Sequence, residues 1–159
     1  MPSDAVLHQA AALCLTYPDE DLIARLPLLR EAAPQLRGFT DHAAVTPARE
    51  LAAHYQRVFA AGHRHGLYLS RWRDGPTPRR AALDRFESLY RRHGLECDGG
   101  RPPDFLPAVL ELAARTGDTS VLTEYRDGLE RLRARLAEDG TPYAGVLDAV
   151  CATLPAAHG

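Results

Sequence analysis

Apolar residues recur along this chain at three- and four-residue intervals, the spacing that places them on one face of an α-helix. Val6, Ala10, Leu13, Cys14 and Tyr17 form the first such stripe, and Leu51, Tyr55, Val58 and Phe59 form another. Leu83, Phe86, Leu89 and Tyr90 follow, then Leu106, Val109, Leu110 and Ala113. Leu122, Tyr125, Leu129, Leu132 and Leu136 make a longer stripe, and Tyr143, Val146, Leu147, Val150, Cys151 and Leu154 close the series. No stretch alternates with the two-residue period of a half-buried strand. The pattern predicts an all-α chain, a single-domain compact bundle of about seven to nine helices spanning residues 1–159, with a short disordered tail at about 155–159.

Proline and glycine mark the boundaries. The pairs Thr46-Pro47, Thr77-Pro78 and Thr141-Pro142 read as helix N-cap plus first residue, because threonine accepts a bond from a free N–H and proline has no donor to lose there. Gly94, Gly117 and Gly140 follow apolar stripes and fit helix ends, where glycine takes the left-handed conformation at low cost. Pro27 is expected to split the segment between Asp19 and Ala33 into two short pieces. Loops are expected over 34–45, 62–66, 74–76 and 96–102.

With 159 residues, 45% hydrophobic and 25% charged, the chain can bury one substantial core. It contains no apolar run of the roughly 18 residues that span a bilayer, and its first residues lack the pattern of a secretory signal, so a cytoplasmic location is expected. Cys14, Cys97 and Cys151 are odd in number and widely spaced, which suggests neither a disulfide framework nor a zinc site; Cys14 and Cys151 read as small core residues. The net charge of −2 hides a contrast. Between Gly62 and His93 stand 8 arginines (64, 71, 73, 79, 80, 85, 91 and 92) against 3 acids. That run is either a solvated helix face or the footprint of a small helical DNA-binding regulator using residues 64–92, the alternative function carried here.

Signatures of catalysis are missing: there is no G-x-S-x-G motif and no phosphate-cradling loop, so no enzyme activity and no cofactor are expected. His63 and His65, with His54, are the best metal-like grouping, but no further ligand at suitable spacing completes them, and no metal is expected. The richest segment is Pro103-Asp104-Phe105-Leu106-Pro107-Ala108-Val109-Leu110-Glu111. Asp104 is placed to cap a helix whose first turn holds Pro107; the plain alternative to a binding site is a well-capped core helix. An all-helical domain without catalytic apparatus suits a peptide-binding module, which needs an apolar groove and a few polar anchors.

Four stretches together resemble the NarJ-type chaperones, the delta subunit of respiratory nitrate reductase, within the wider TorD/DmsD group of redox-enzyme maturation proteins. They are Leu13 to Glu20, Tyr55-Gln56-Arg57-Val58-Phe59 leading to Gly66-Leu67-Tyr68-Leu69, Pro103 to Glu111, and Thr141-Pro142-Tyr143-Ala144 through Cys151. The resemblance implies a TorD/NarJ-like helical fold and a system-specific assembly chaperone. Such a protein would bind the N-terminal segment, a twin-arginine leader or its remnant, of a molybdoenzyme catalytic subunit, here the nitrate reductase alpha subunit. It would keep that subunit competent for molybdenum cofactor insertion, acting as a monomer or dimer. On matching positions the resemblance implies that Tyr55, Phe59 and Tyr68 wall the peptide groove. Pro103, Asp104, Leu106, Pro107 and Glu111 would form its lip, with Asp104 and Glu111 as anchors for basic residues. Phe105 stands where the family usually has histidine, and Ala60 where it usually has an acid, so two polar anchors are absent.

Overall fold

A computed structural model describes residues 4–60, 66–72, 78–95 and 102–155. Among them are nine α-helices: α1 (Asp4–Cys14), α2 (Glu20–Ala32), α3 (Arg37–Val45), α4 (Ala48–Tyr55), α5 (Arg79–Arg92), α6 (Leu106–Thr116), α7 (Ser120–Glu124), α8 (Arg126–Glu138) and α9 (Tyr143–Ala152). Short 3-10 turns occupy Pro34–Leu36 and Leu69–Trp72, and α4 runs on into a π-helical segment at Gln56–Ala60. The all-α reading and its upper helix number are borne out.

The core sits where α1 packs along α6 and α8 along α9. Leu15, Leu51, Phe86, Leu106, Leu110, Leu122 and Tyr143 are fully buried in the one hydrophobic cluster that extends from these contacts. Burial of that much aliphatic and aromatic surface, at about 25 cal/mol per Å², is the main force holding so many short helices together. Cys14 and Cys151 are free and buried, as their positions on the stripes predict. Burial pushes both thiols up to about 12, so neither is a ready nucleophile.

The glycine stops hold: Gly94, Gly117 and Gly140 all have positive φ, between 69° and 77°. Four expectations fail. Pro27 does not split α2, which runs unbroken from Glu20 to Ala32. Its ring is exposed, so water can satisfy the carbonyl left without a donor one turn earlier. The expected loop over 34–45 is a 3-10 turn leading into α3, because Leu36, Phe39 and Ala43 line one helical face and are buried. Thr46 does not cap α4; its hydroxyl donates to the His42 carbonyl at 2.5 Å and so closes α3 instead. The long stripe from Leu122 to Leu136 is broken at Tyr125 into α7 and α8.

Thr141 does accept a bond from the Tyr143 N–H at 3.3 Å, at the start of α9. Thr77 lies outside the described residues, as do 62–65, 74–76, 96–101 and the tail from 156, where further expectations fell.

Candidate functional site

The segment before α6 is held in place by a short antiparallel bridge between Tyr68 and Phe105. Leu69 N–H donates to the Asp104 carbonyl at 3.0 Å, and Leu106 N–H donates to the Leu67 carbonyl at 2.7 Å. These bonds satisfy backbone groups that the start of a helix leaves open. They also bring residues 67–69 against 104–106, so that the rings of Tyr68 and Phe105 lie 5.3 Å apart.

Asp104 is fully buried. Its Oδ2 accepts from Ser70 N–H at 3.0 Å and from the Ser70 hydroxyl at 2.5 Å. Ser70 Oγ in turn accepts from Arg79 Nε at 3.2 Å. The expected cap at α6 is therefore overturned: Phe105 occupies the N-cap position without a side-chain bond, and the carboxylate locks the preceding loop instead. Neither Asp104 nor Leu106, which is also wholly interior, presents its side chain on a surface. Neither of these two, expected as groove lip and anchor, lines a cleft in this structure. Pro107 lies in the first turn of α6, as expected.

The remaining predicted residues border two clefts that share Phe105 as a common wall. One, of about 330 Å³, is lined by Tyr55, Phe59, Gly66, Tyr68, Arg71 and Phe105. The other, of about 310 Å³, lies between α1 and the start of α6 and includes Leu13, Tyr90, Pro103, Phe105, Pro107 and Glu111. Tyr55, Phe59, Tyr68 and Pro103 are half-buried, and Glu111 and Arg71 are exposed.

The π-helical turn after α4 brings the rings of Tyr55 and Phe59 to 5.1 Å. Both rings pack on Tyr143, at 6.1 and 4.7 Å, which backs the first cleft with buried aromatic surface. Tyr143 itself is fully buried, and burial, with Tyr55 and Cys14 adding to it, raises its hydroxyl above the usual range. The Tyr55 hydroxyl donates to the Leu15 carbonyl at 3.1 Å, anchoring the exit of α1 beside the clefts.

Sequence reasoning missed Tyr17, an exposed ring set edge-on to Tyr55 at 5.7 Å, since its place on the first stripe pointed to the core. It also missed a third cleft of about 580 Å³ between α5 and α7–α8, with Trp72, Tyr125 and Gly128 in its wall. Three of the four charged residues lining that cleft are paired within the chain, Arg85 with Glu124 at 2.6 Å and Asp84 with Arg80 at 2.7 Å; the fourth is Asp127.

Much of the arginine run is spent in the same way, with Arg79 on Ser70 and Arg80 on Asp84 and Glu87. His54 Nε2 lies 2.7 Å from Thr141 Oγ1, and its ring stacks on Tyr143 at 5.6 Å, so its surroundings are those of a packed side chain. Among the described residues no three His, Cys, Asp or Glu side chains are grouped to hold a metal; His63 and His65 lie outside them. Nor is any described helix long and apolar enough to cross a membrane.

Comparison with known proteins adds a lineage to this geometry. The family model for the nitrate reductase delta subunit matches residues 25–149. The nitrate reductase-like protein NarX of Mycobacterium tuberculosis H37Rv is 32% identical over 164 residues, covering 93% of this chain and 24% of that protein. NarW of Escherichia coli K12, described as a nitrate reductase molybdenum cofactor assembly chaperone, is 29% identical, covering 87% of this chain and 63% of that one. The chain thus spans about a quarter of the length of NarX and somewhat under two thirds of NarW. A crystal structure described as a redox enzyme maturation protein from Archaeoglobus fulgidus superposes with a TM-score of 0.75 at 22% identity, over 94% of this chain and 92% of that one. At that identity the likeness speaks to the fold.

Proposed function

Because the chain belongs to the nitrate reductase delta subunit family, we propose that it is an assembly chaperone for a molybdenum-containing oxidoreductase of the nitrate reductase kind. It binds the N-terminal segment of the catalytic subunit in the cytoplasm and holds that subunit ready for cofactor insertion. The chain itself carries out no chemistry in this reading.

The observation that carries the reading is the pair of clefts meeting at Phe105, where the chain leaves Tyr55, Phe59, Tyr68 and Pro103 only half covered. Aromatic walls with few polar groups suit the apolar face of an amphipathic segment. Covering ~400 Å² of apolar ligand surface at ~25 cal/mol per Å² yields about 10 kcal/mol gross. Immobilising a flexible peptide offsets much of that, which leaves affinity near micromolar, suited to a partner that must later let go.

The binding residues under this reading are Tyr55, Phe59, Tyr68, Pro103, Pro107 and Glu111, joined by Phe105. Removing the chain from its host and assaying the catalytic subunit for bound molybdenum cofactor tests the role. Cofactor content should fall, and the subunit should cease to co-purify with the chaperone once its N-terminal segment is deleted. Full cofactor loading without the chain would refute the proposal.

A further inference from the structure

Among the described residues each of the two clefts carries one charge, and the charges are opposite. Arg71 lines the cleft of Tyr55, Phe59 and Tyr68, while Glu111 lines the cleft of Leu13, Pro103 and Pro107. Both side chains are exposed, and among the described residues neither makes a hydrogen bond or ion pair. That is unlike their neighbours: Arg79, Arg80 and Arg85 are all engaged by partners of the chain itself. A charge left unpaired at the rim of an apolar cleft is available to a ligand without first breaking an internal pair.

The two clefts are neighbours across the largely buried ring of Phe105. They share Phe105, and the end of α1 borders both, with Leu13 and Thr16 in one cleft and Leu15 and Tyr17 bonded to or packed on Tyr55 of the other. A single segment lying across Phe105 therefore meets apolar surface on both sides, a cation at one end and a carboxylate at the other.

We infer that this groove, read as the peptide site proposed above, selects a dipolar amphipathic segment: one whose apolar side chains straddle Phe105, with a basic residue over Glu111 and an acidic residue over Arg71. The inference rests on that reading and adds a direction to it. The acid beside Arg71 matters because Ala60 contributes no charge to the same cleft, so Arg71 is its one charged lining residue among those described. A purely basic segment would place a positive group against Arg71, whereas a dipolar one satisfies both ends.

Three synthetic peptides test this, each of about 16 residues, or ~24 Å as a helix at ~1.5 Å per residue. They share one leucine and phenylalanine face and differ only in their ends: lysine and glutamate, lysine twice, or glutamate twice. Titration calorimetry at low salt should show the dipolar peptide binding the wild-type protein roughly fivefold more tightly than either like-charged one, as for rim charges that are partly desolvated. Arg71→Glu should move the preference to the lysine-ended peptide, and Glu111→Arg to the glutamate-ended one. Equal affinities for the three peptides, or a preference untouched by both reversals, would overturn the inference while leaving the groove as a peptide site. Absence of binding by all three would remove the groove reading and this inference with it.

Discussion

Ser70 and Asp104, 34 residues apart in the chain, are joined by two hydrogen bonds to one carboxylate oxygen, from the Ser70 backbone at 3.0 Å and its hydroxyl at 2.5 Å. Both residues are fully buried, so this contact fixes the loop that carries Tyr68 against the start of α6. Asp104→Ala should destabilise the protein by about 2–4 kcal/mol, because it leaves a buried N–H and hydroxyl without their acceptor. Ser70→Ala should cost less, about 1–2 kcal/mol, since the backbone bond survives. Urea unfolding measures both, and peptide affinity of the folded fraction should change little, because the carboxylate does not face the clefts. A folded Asp104→Ala protein of unchanged stability that has lost peptide binding would restore Asp104 as an anchor.

Gly128 is required by close approach. A Cβ there would stand 2.6 Å from Trp72 Cβ and 2.9 Å from the Trp72 carbonyl oxygen, closer than nonbonded atoms come. Trp72 has little room to retreat: its indole N–H donates to the Gly66 carbonyl at 2.8 Å, and Arg131 donates to the Trp72 carbonyl at 2.5 Å. The guanidinium of Arg135 lies 5.1 Å from the centre of the Trp72 ring. Gly128→Ala should lower stability by about 1–3 kcal/mol, despite alanine's better helix propensity. A gain in melting temperature would show that α8 can move away from Trp72.

Pro27 works in the opposite direction. It sits inside α2 with its ring exposed, removing one helical hydrogen bond without packing into the core. Pro27→Ala should therefore stabilise the protein by about 1–3 kcal/mol in thermal or chemical unfolding. A loss of stability would mean that the proline ring has a role in the folded state that its exposure does not reveal.

His8 should make stability fall in mild acid. Its Nε2 lies 2.9 Å from Thr153 Oγ1, tying α1 to the end of α9. Burial lowers its pKa from 6.5, only partly countered by the Asp4 carboxylate. His54 is lowered as well, by burial and then by Arg57 and His42. A histidine held below its unfolded value favours the neutral form, so the folded state keeps its full stability above pH 6.5. As pH drops below 6.5 the unfolded chain takes up the proton first, and stability declines through the window down to the folded-state value. Melting temperature should therefore fall between pH 7 and 5, and less steeply in His8→Gln. Equal slopes in the two proteins would place the acid sensitivity elsewhere.

Much of the architecture was legible because helix periodicity and helix ends are local properties. Gly94, Gly117 and Gly140 could be placed from the residues before them, and each has the positive φ that favours glycine. The segment 34–45 reads as a loop because its stripe of Leu36, Phe39 and Ala43 is short, whereas the Thr46 that reads as the start of the next helix closes α3 instead.

The candidate site was legible in part. Tyr55, Phe59, Tyr68, Pro103, Pro107 and Glu111 do border the clefts, while Asp104 and Leu106 turn inward. Nothing local distinguishes an aspartate that caps its own helix from one that binds a serine 34 positions away. Likewise, the sharing of Phe105 between two clefts follows from the bridge to Tyr68, a long-range pairing without a strand pattern to announce it.

Calorimetric titration of the wild-type protein and of Phe59→Asp with the first ~20 residues of the catalytic subunit tests the central claim most directly. Phe59 is half-buried in the cleft wall, and a buried charge there would repel an apolar ligand surface. The account predicts micromolar binding to the wild type and at least a tenfold loss, about 1.4 kcal/mol, in a Phe59→Asp protein that keeps its helical circular dichroism. No heat from the wild type at high micromolar peptide, or equal affinity in the folded variant, would contradict it.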